Sequence, residues 1–380
     1  MKPSVYVREA VAFCSLGNSS EEIAHNIHGN GADDFKEFTF GSELISREYR
    51  GMKDKRVTGN DDFYATLEQL LAQLTSSICS EELLECALLI GSTSMSIPCS
   101  EPLFKSNPNE VMLPYIGYGA IGERLAQTFG LGGEIALFAT ACTSSANALL
   151  YGQTGINEGR FQRAIVLGFD FYNELTMSGF ESFGLLSRDG CRPFDRDRSG
   201  MVLGEGCGAI LLDTIPSSYK SQLILAGGAN RSDTSSPTAH NTDGIMVAQT
   251  INDALHNADV SVNEVKLIKA HATGSQTNDV AEGIGLRRVF DSLPPIVALK
   301  SSLGHTLGGC GVIELAVLWF CMRGGFVPKT VGFEIADEAM GILPMTSEKT
   351  VSDGMILLNH FGFGGNGVVL VVESFNGEKL

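Results

Sequence analysis

The sequence predicts a mixed α/β fold built on a mostly parallel sheet covered by helices on both faces. Strand-like apolar runs alternate with amphipathic segments along the whole chain, and the runs are bounded by Gly or Ser. Glycine is abundant as well, at 44 of 380 residues, as many tight strand-to-helix turns require. The strand runs fall at residues 87–90, 135–139, 163–168, 209–213, 223–227, 265–270, 296–299, 355–359 and 368–373. Helical periodicity occupies 63–76, 143–159, 245–258, 279–290 and 311–324. Within the last of these the apolar run 311–322 is broken by Glu314, and it marks a buried helix too short for a bilayer.

Each half of the chain offers a strand, a small-residue turn and a buried helix, at 139–159 and again at 299–324. This repetition predicts a duplicated architecture with its seam at 217–221. The chain then divides into an N-terminal half, 1–216, and a C-terminal half, 217–380.

Hydrophobic residues make up 43% and charged residues 19%, enough to build a large core. The formal charge of −17 disfavours nucleic acid and anionic membranes, which it would repel. Nine cysteines form no CxxC pair, and Arg8 and Glu9 interrupt any secretory leader in the first 30 residues. The expected setting is cytoplasmic, with reduced thiols.

One cysteine stands apart. Cys142 sits where the strand run 135–139 turns through Ala141, Thr143 and Ser144 into a helix. Unpaired N–H groups and the positive end of a helix there should lower its pKa. The alternative is an inert buried thiol, the reading applied to Cys14, Cys79, Cys86, Cys99, Cys191, Cys207, Cys310 and Cys321.

Two histidines occupy similar junctions. His271 closes a strand run and opens the turn His-Ala-Thr-Gly-Ser-Gln-Thr-Asn-Asp (271–279), where open α/β sheets bind ligands. His305 lies in Lys-Ser-Ser-Leu-Gly-His-Thr-Leu-Gly-Gly (300–309), five residues after Lys300. Each histidine alone could be structural. No spacing here matches a zinc set, so no metal is expected. Near the C-terminus, Asn-His-Phe-Gly-Phe-Gly-Gly-Asn-Gly (359–367) separates two strands. It lacks the phosphate-binding spacing and reads as a plain hairpin, or as a loop whose backbone N–H helps form an oxyanion hole with that of Cys142.

Together these segments resemble the β-ketoacyl-acyl-carrier-protein synthase (ketosynthase) family of the thiolase-like superfamily, in its elongating Cys-His-His branch. The resemblance rests on Thr-Ala-Cys-Thr-Ser-Ser (140–145), the His271 turn followed by Glu282, Lys300 with Gly304-His305-Thr306, and the loop 359–365. Cys-Arg-Pro-Phe-Asp-Arg-Asp-Arg-Ser-Gly-Met-Val-Leu-Gly-Glu-Gly (191–206) supports it. It spans essentially the whole chain.

The resemblance implies a thiolase-like fold of two α/β halves in five layers, αβαβα, and a homodimer or a heterodimer with a related subunit. It implies that Cys142 takes an acyl group from the phosphopantetheine arm of an acyl carrier protein. Decarboxylation of malonyl carrier protein then gives an enolate stabilised by His271 and His305. Lys300 and Glu282 are expected to pair and brace the histidine turn. The N–H groups of Cys142 and Phe361 are expected to hold the oxyanion, with Phe361 as gate and Gly362, Phe363, Gly364 and Gly365 completing the loop. No metal or soluble cofactor is implied. The basic stretch Arg47, Arg50, Lys53, Lys55 and Arg56 is expected to dock the acidic carrier protein, so charge reversal at Lys53 and Lys55 should raise KM.

The sequence departs from the family at Ala272 for Gly, His360 for Ser and Asn366 for Thr, and is shorter near 217–222. These departures bear on loop conformation and gating. A chain-length-factor-like partner subunit is the rival reading; such partners usually lack the cysteine that is present here. A degradative thiolase-like enzyme using coenzyme A fits less well, because it gives His305 no decarboxylation role.

Overall fold

The computed structural model describes residues 3–27, 34–106, 117–236, 240–350 and 353–377. Ten strands carry the architecture. The first five are β1 (Tyr6–Phe13), β2 (Cys86–Gly91), β3 (Ile135–Phe138), β4 (Arg163–Asp170) and β5 (Gly206–Asp213). The second five are β6 (Ser221–Ser232), β7 (Val265–Lys269), β8 (Ile296–Val297), β9 (Gly354–Phe361) and β10 (Asn366–Asn376).

They hydrogen-bond in the order β8-β7-β9-β10-β6-β1-β5-β4-β2-β3. Counted within each set of five, the order from the outer edge inward is third, second, fourth, fifth, first in both. The directions repeat too: three parallel strands (β3, β2, β4 and β8, β7, β9) followed by two antiparallel ones. The sets meet at the single pair Tyr6↔Ile224, beside a Leu225 N–H bond of 2.8 Å to the Val5 carbonyl. The connection between them is the short stretch 214–220.

Burial explains the layers. Along β4, Ile165, Leu167 and Phe169 face one apolar cluster while Ala164 and Val166 face another, the period of two expected of a strand buried on both faces. The outer cluster of the first set is capped by α1 (Asn60–Thr75) and α2 (Tyr118–Phe129). That of the second set is capped by α4 (Ile245–Asn257) and α5 (Asn278–Val289). Between the sheets lie α3 (Ser144–Asn157) and α6 (Cys310–Arg323), packed against one another. The result is the five-layered arrangement. In α6 every residue from Cys310 to Met322 is buried, and each large apolar side chain contributes about 1.5–3 kcal/mol. Close packing of the two helices needs Gly311, where an added Cβ would fall 2.5 Å from the Ala146 nitrogen.

Several elements do not follow from periodicity. Strand β1 escapes it because Arg8 and Glu9 break its apolar run; Arg8 in fact bridges Glu82 and Asp213, at 2.8 Å each. The hairpin Asp34–Phe40 and Glu43–Arg50 lies in a separate small sheet with Leu203–Gly204. Among the described residues no helix is long and apolar enough to cross a membrane.

Candidate active site

The reacting groups stand at the carboxyl ends of parallel strands, and the duplication places them in register. After β3 comes a single 3₁₀ turn, Ala141–Thr143, and then α3; after β8 comes a short helix and the 3₁₀ turn Leu307–Gly309, then α6. Ala141 and Leu307 open their turns with φ of 51° and 47°, a left-handed conformation costing a non-glycine residue roughly 1–2 kcal/mol. Cys142 follows Ala141, and His305 precedes Leu307 by two residues. Because α3 and α6 touch, the two turns converge.

The His305 Nε2 lies 3.0 Å from the Cys142 Sγ. The His271 ring meets that of His305 edge-on, with 5.4 Å between centroids. All three side chains are buried, and Nδ1 of both histidines has no hydrogen-bond partner among the described residues. The cysteine is not the low-pKa thiol its helix terminus predicts. Burial pushes it up to about 11, against a Phe363 backbone N–H that donates to the sulfur and the charge of Lys300. Burial and the charge of Lys300 also hold both histidines well below their ordinary range. The resting pair is therefore a neutral thiol beside a neutral imidazole. Loss of water around a fully enclosed sulfur outweighs one turn of helix dipole.

Lys300 does not pair with Glu282. Its Nζ lies 2.5 Å from Glu314 Oε1, while Lys269 Nζ lies 2.5 Å from Glu314 Oε2. Glu282 instead accepts the backbone N–H groups of His271 and Ala272, both at 2.8 Å, and the Asn359 amide at 3.0 Å. It braces the histidine turn as expected, through hydrogen bonds rather than an ion pair. Ala272, where the family pattern has Gly, is held at φ 32° by these bonds. Lys269 and Glu314 were invisible as site residues, although a charge inside an apolar run is itself a signal that it is paired.

Two further carboxylates organise the loops. Asp170, at the end of β4, accepts from the Ser94 and Gly308 N–H groups at 2.7 Å each, from Thr93 N–H and from two serine hydroxyls. It ties the loop after β2 to the turn after His305. Asp279 accepts from the N–H groups of Phe194, Thr273 and Gly274. Burial pushes the Asp279 carboxyl up to about 7, the Phe194 N–H opposing and Glu282 adding repulsion. The folded state thus keeps a proton that the unfolded chain releases near 3.8. This contribution is fully present below the unfolded value and is lost as pH rises through about 7. Thermal melts should show wild-type stability falling by roughly 1 kcal/mol per pH unit between about 5 and 7, from this group. Asp279→Asn should flatten that slope; an unchanged slope would remove Asp279 as its source.

In the Gly-rich loop the structure exchanges two roles. Phe361 is buried, edge-on to His240 and His271, so it is a core residue rather than a gate. Phe363 is half-buried and stacks on Phe180 at 5.2 Å, and its N–H is the one that reaches the Cys142 sulfur. Gly362 lies so close that an added Cβ would sit 3.0 Å from the Cys142 nitrogen. Gly364 and Gly365 both adopt left-handed φ, near 70°, and Asn366 braces the loop by donating to the Phe363 carbonyl at 3.1 Å. A cavity of about 600 Å³ opens beside α3, lined by Thr140, Asn147, Asn230 and Asn366 among others.

The basic stretch is less cationic in space than in sequence. Arg47 pairs with Glu181, buried Arg50 with Glu48, and Lys53 with Glu22. Lys55 reaches Gln69 and lies over the Phe13 ring, and Arg56 is exposed. Of the cysteines read as packing residues, Cys79 is exposed, and Cys310 donates to the Cys142 carbonyl at 3.1 Å.

Comparison with known proteins gives the same picture. The family profile "Beta-ketoacyl synthase, N-terminal domain" matches residues 76–216, and "Beta-ketoacyl synthase, C-terminal domain" matches 223–334. The tetracenomycin polyketide synthase ketoacyl synthase alpha subunit of Streptomyces glaucescens is 28% identical, over 67% of this chain and 64% of that protein. The 3-oxoacyl-[acyl-carrier-protein] synthase 2 of Mycobacterium leprae is 29% identical, over 61% of this chain and 58% of that protein. The matched region thus spans about three fifths of these relatives' own length. Among solved structures, a ketosynthase in complex with its chain length factor from Xenorhabdus doucetiae superposes with a TM-score of 0.83 at 23% identity, covering 98% of each chain. A beta-ketoacyl synthase from Burkholderia phymatum gives 0.82 at 20% identity, covering 99% and 100%. With both domain profiles matched in order on a duplicated thiolase-like fold, this chain belongs to the β-ketoacyl synthase family.

Proposed function

We propose that this chain is a β-ketoacyl-acyl-carrier-protein synthase, an acyltransferase that performs decarboxylative condensation in fatty-acid, polyene or polyketide-type biosynthesis. The observation that carries the reading is His305 Nε2 at 3.0 Å from the Cys142 Sγ, with the His271 ring alongside. As the sulfur attacks the acyl thioester, its proton passes to His305 Nε2. The new S–C bond forms, the old thioester bond breaks, and the phosphopantetheine thiol leaves with the proton that His305 took. Malonyl carrier protein then loses CO₂. His271 and His305 stabilise the enolate oxygen as hydrogen-bond donors, each once its ring proton stands on the nitrogen that faces the substrate. The enolate carbon attacks the acyl group, the acyl C–S bond breaks, and the Cys142 sulfur leaves as a thiolate that takes up one proton from water. The N–H groups of Cys142 and Phe363 are the proposed oxyanion donors, and Lys300, Glu314 and Glu282 hold the histidine turns. The acyl groups travel on the carrier's phosphopantetheine arm, so the chemistry asks for no metal or soluble cofactor.

The proposed partners are an acyl carrier protein and a second ketosynthase-type subunit, identical or related. Nine unpaired cysteines fit a reducing compartment such as the cytoplasm. The second reading, a pocket-shaping subunit like the chain length factor in the Xenorhabdus complex, is disfavoured by the intact Cys142–His305 pair. Mass spectrometry after incubation with acyl carrier protein thioesters separates the two. An adduct on Cys142 supports the enzyme; no adduct, alone or with a co-purifying partner, supports the pocket-shaping subunit.

Carrier docking is proposed to rest on Lys55 and Arg56, because their three basic neighbours are already neutralised. Reversing both charges to Glu should raise KM for carrier-protein substrates severalfold at low salt and leave kcat unchanged. An unchanged KM would move docking elsewhere.

A further inference from the structure

Behind the reacting cysteine lies a second buried polar chain that the proposed reaction does not use. Lys269 Nζ has three neighbours: Glu314 Oε2 at 2.5 Å, the Asn359 carbonyl at 2.9 Å and His360 Nε2 at 3.3 Å. The other ring nitrogen, His360 Nδ1, lies 3.7 Å from the Cys310 Sγ, and that sulfur lies 3.1 Å from the Cys142 carbonyl oxygen. All four side chains of this chain, with Glu314 included, are fully enclosed.

The directions of these bonds follow from what each group can do. An ammonium has three N–H donors and no acceptor, and Lys269 spends two of its donors on the Glu314 carboxylate and the Asn359 carbonyl, which leaves the third for the ring nitrogen. His360 Nε2 must therefore be the bare nitrogen, and the ring proton must sit on Nδ1, facing Cys310. The Cys310 sulfur accepts there, and its own S–H is free to donate to the Cys142 carbonyl. Burial holds Cys310 as a thiol and His360 as a neutral ring, which is what this directionality needs.

We propose that Lys269 is a positioning residue for Cys142: it fixes the His360 proton on Nδ1 and so directs a one-way donor chain, through Cys310, onto the Cys142 carbonyl. That carbonyl carbon is bonded to the Cα whose side chain carries the sulfur, so the chain anchors the nucleophile turn from behind, while His305 and the Phe363 N–H address the sulfur from the front. The Asn359 contact carries a second anchor, because the Asn359 side chain holds Glu282, which holds the His271 backbone. The geometry also explains why two buried lysines share one carboxylate. Lys300 alone would balance Glu314; Lys269 is the surplus charge, which the fold retains at the head of this chain. The inference rests on Cys142 being the nucleophile.

Its test needs no carrier protein. Long-range ¹H–¹⁵N correlation on ¹⁵N-histidine protein, with His360 assigned by loss of its signals in His360→Gln, reads the tautomer directly. Wild type should carry the His360 proton on Nδ1, and Lys269→Met should shift it partly or wholly to Nε2. Lys269→Met leaves Lys300 and Glu314 as a balanced pair and should melt at or above the wild-type temperature. Its Cys142 should react with iodoacetamide about threefold more slowly at pH 8, since even a half-unit rise in thiol pKa does this. The double variant Lys269→Met/His360→Gln should be no slower than Lys269→Met. A His360 proton on Nε2 in wild type overturns the inference, as does a folded Lys269→Met that alkylates at the wild-type rate. Should Lys269→Met fail to fold, the wild-type tautomer decides. Failure of the condensing-enzyme reading would appear separately, as a missing acyl adduct with these results unchanged.

Discussion

Cys142→Ala should form no acyl adduct and lose roughly 10⁴-fold or more of condensation rate, as removal of a covalent nucleophile does elsewhere. The wild-type protein should carry a further signature. With the thiol pushed up to about 11 by burial, the thiolate fraction is small at neutrality and grows tenfold per pH unit. Iodoacetamide alkylation of Cys142 should therefore rise about tenfold per unit from pH 7 to 10 and show no plateau. A plateau below pH 8 would mean a preformed thiolate–imidazolium pair, and proton transfer to His305 during attack would have to be abandoned. His305→Ala should slow acylation while sparing the fold, because among the described residues the ring's one polar contact is with the sulfur.

Glu314→Ala should produce the largest loss of stability of any single change at the site. It strands two ammonium groups in a fully enclosed pocket, and removing one partner of a buried ion pair costs about 3–5 kcal/mol. Thermal denaturation should show a large fall in melting temperature, or no cooperative transition. The replacement Glu314→Leu/Lys269→Met/Lys300→Met should recover most of that stability, since apolar groups of similar volume tolerate the same space. It should not recover condensation. If Glu314→Ala melts like wild type, one lysine must be neutral without its partner. Burial pushes the Glu314 carboxyl up, but the two lysines that face it more than offset this and hold it below its ordinary value, so its contribution is present above the unfolded value and is lost as pH falls through the folded one.

Much of the chemistry was legible because it sits on local patterns. A cysteine or histidine at a strand-to-helix turn is readable from a dozen residues, and so are the apolar runs that became β2, β4 and β9. What escaped was long-range pairing. Lys300 and Glu282 are 18 positions apart and looked like partners, yet Lys300 found Glu314 across a turn, and Lys269 came in from the neighbouring strand. The basic stretch looked the least diluted by acid because Glu181 and Glu22 are remote in sequence and pack against it only in space. Phe361 and Phe363 look alike in the Phe-Gly-Phe-Gly repeat; only the β9–β10 turn decides which ring enters the core and which backbone N–H meets the sulfur.

The chain's sequence by itself determined that Cys142, His271 and His305 would stand at the ends of strands in a duplicated α/β protein, since periodicity, glycine turns and motif order are properties of neighbours along the chain. The tertiary structure alone decided the protonation of that site. Whether a thiol is a thiolate, and which carboxylate serves which lysine, depends on how completely water is excluded and on groups brought together from distant segments. Here closure of two sheets over α3 and α6 removes the water and leaves a neutral pair poised to exchange one proton.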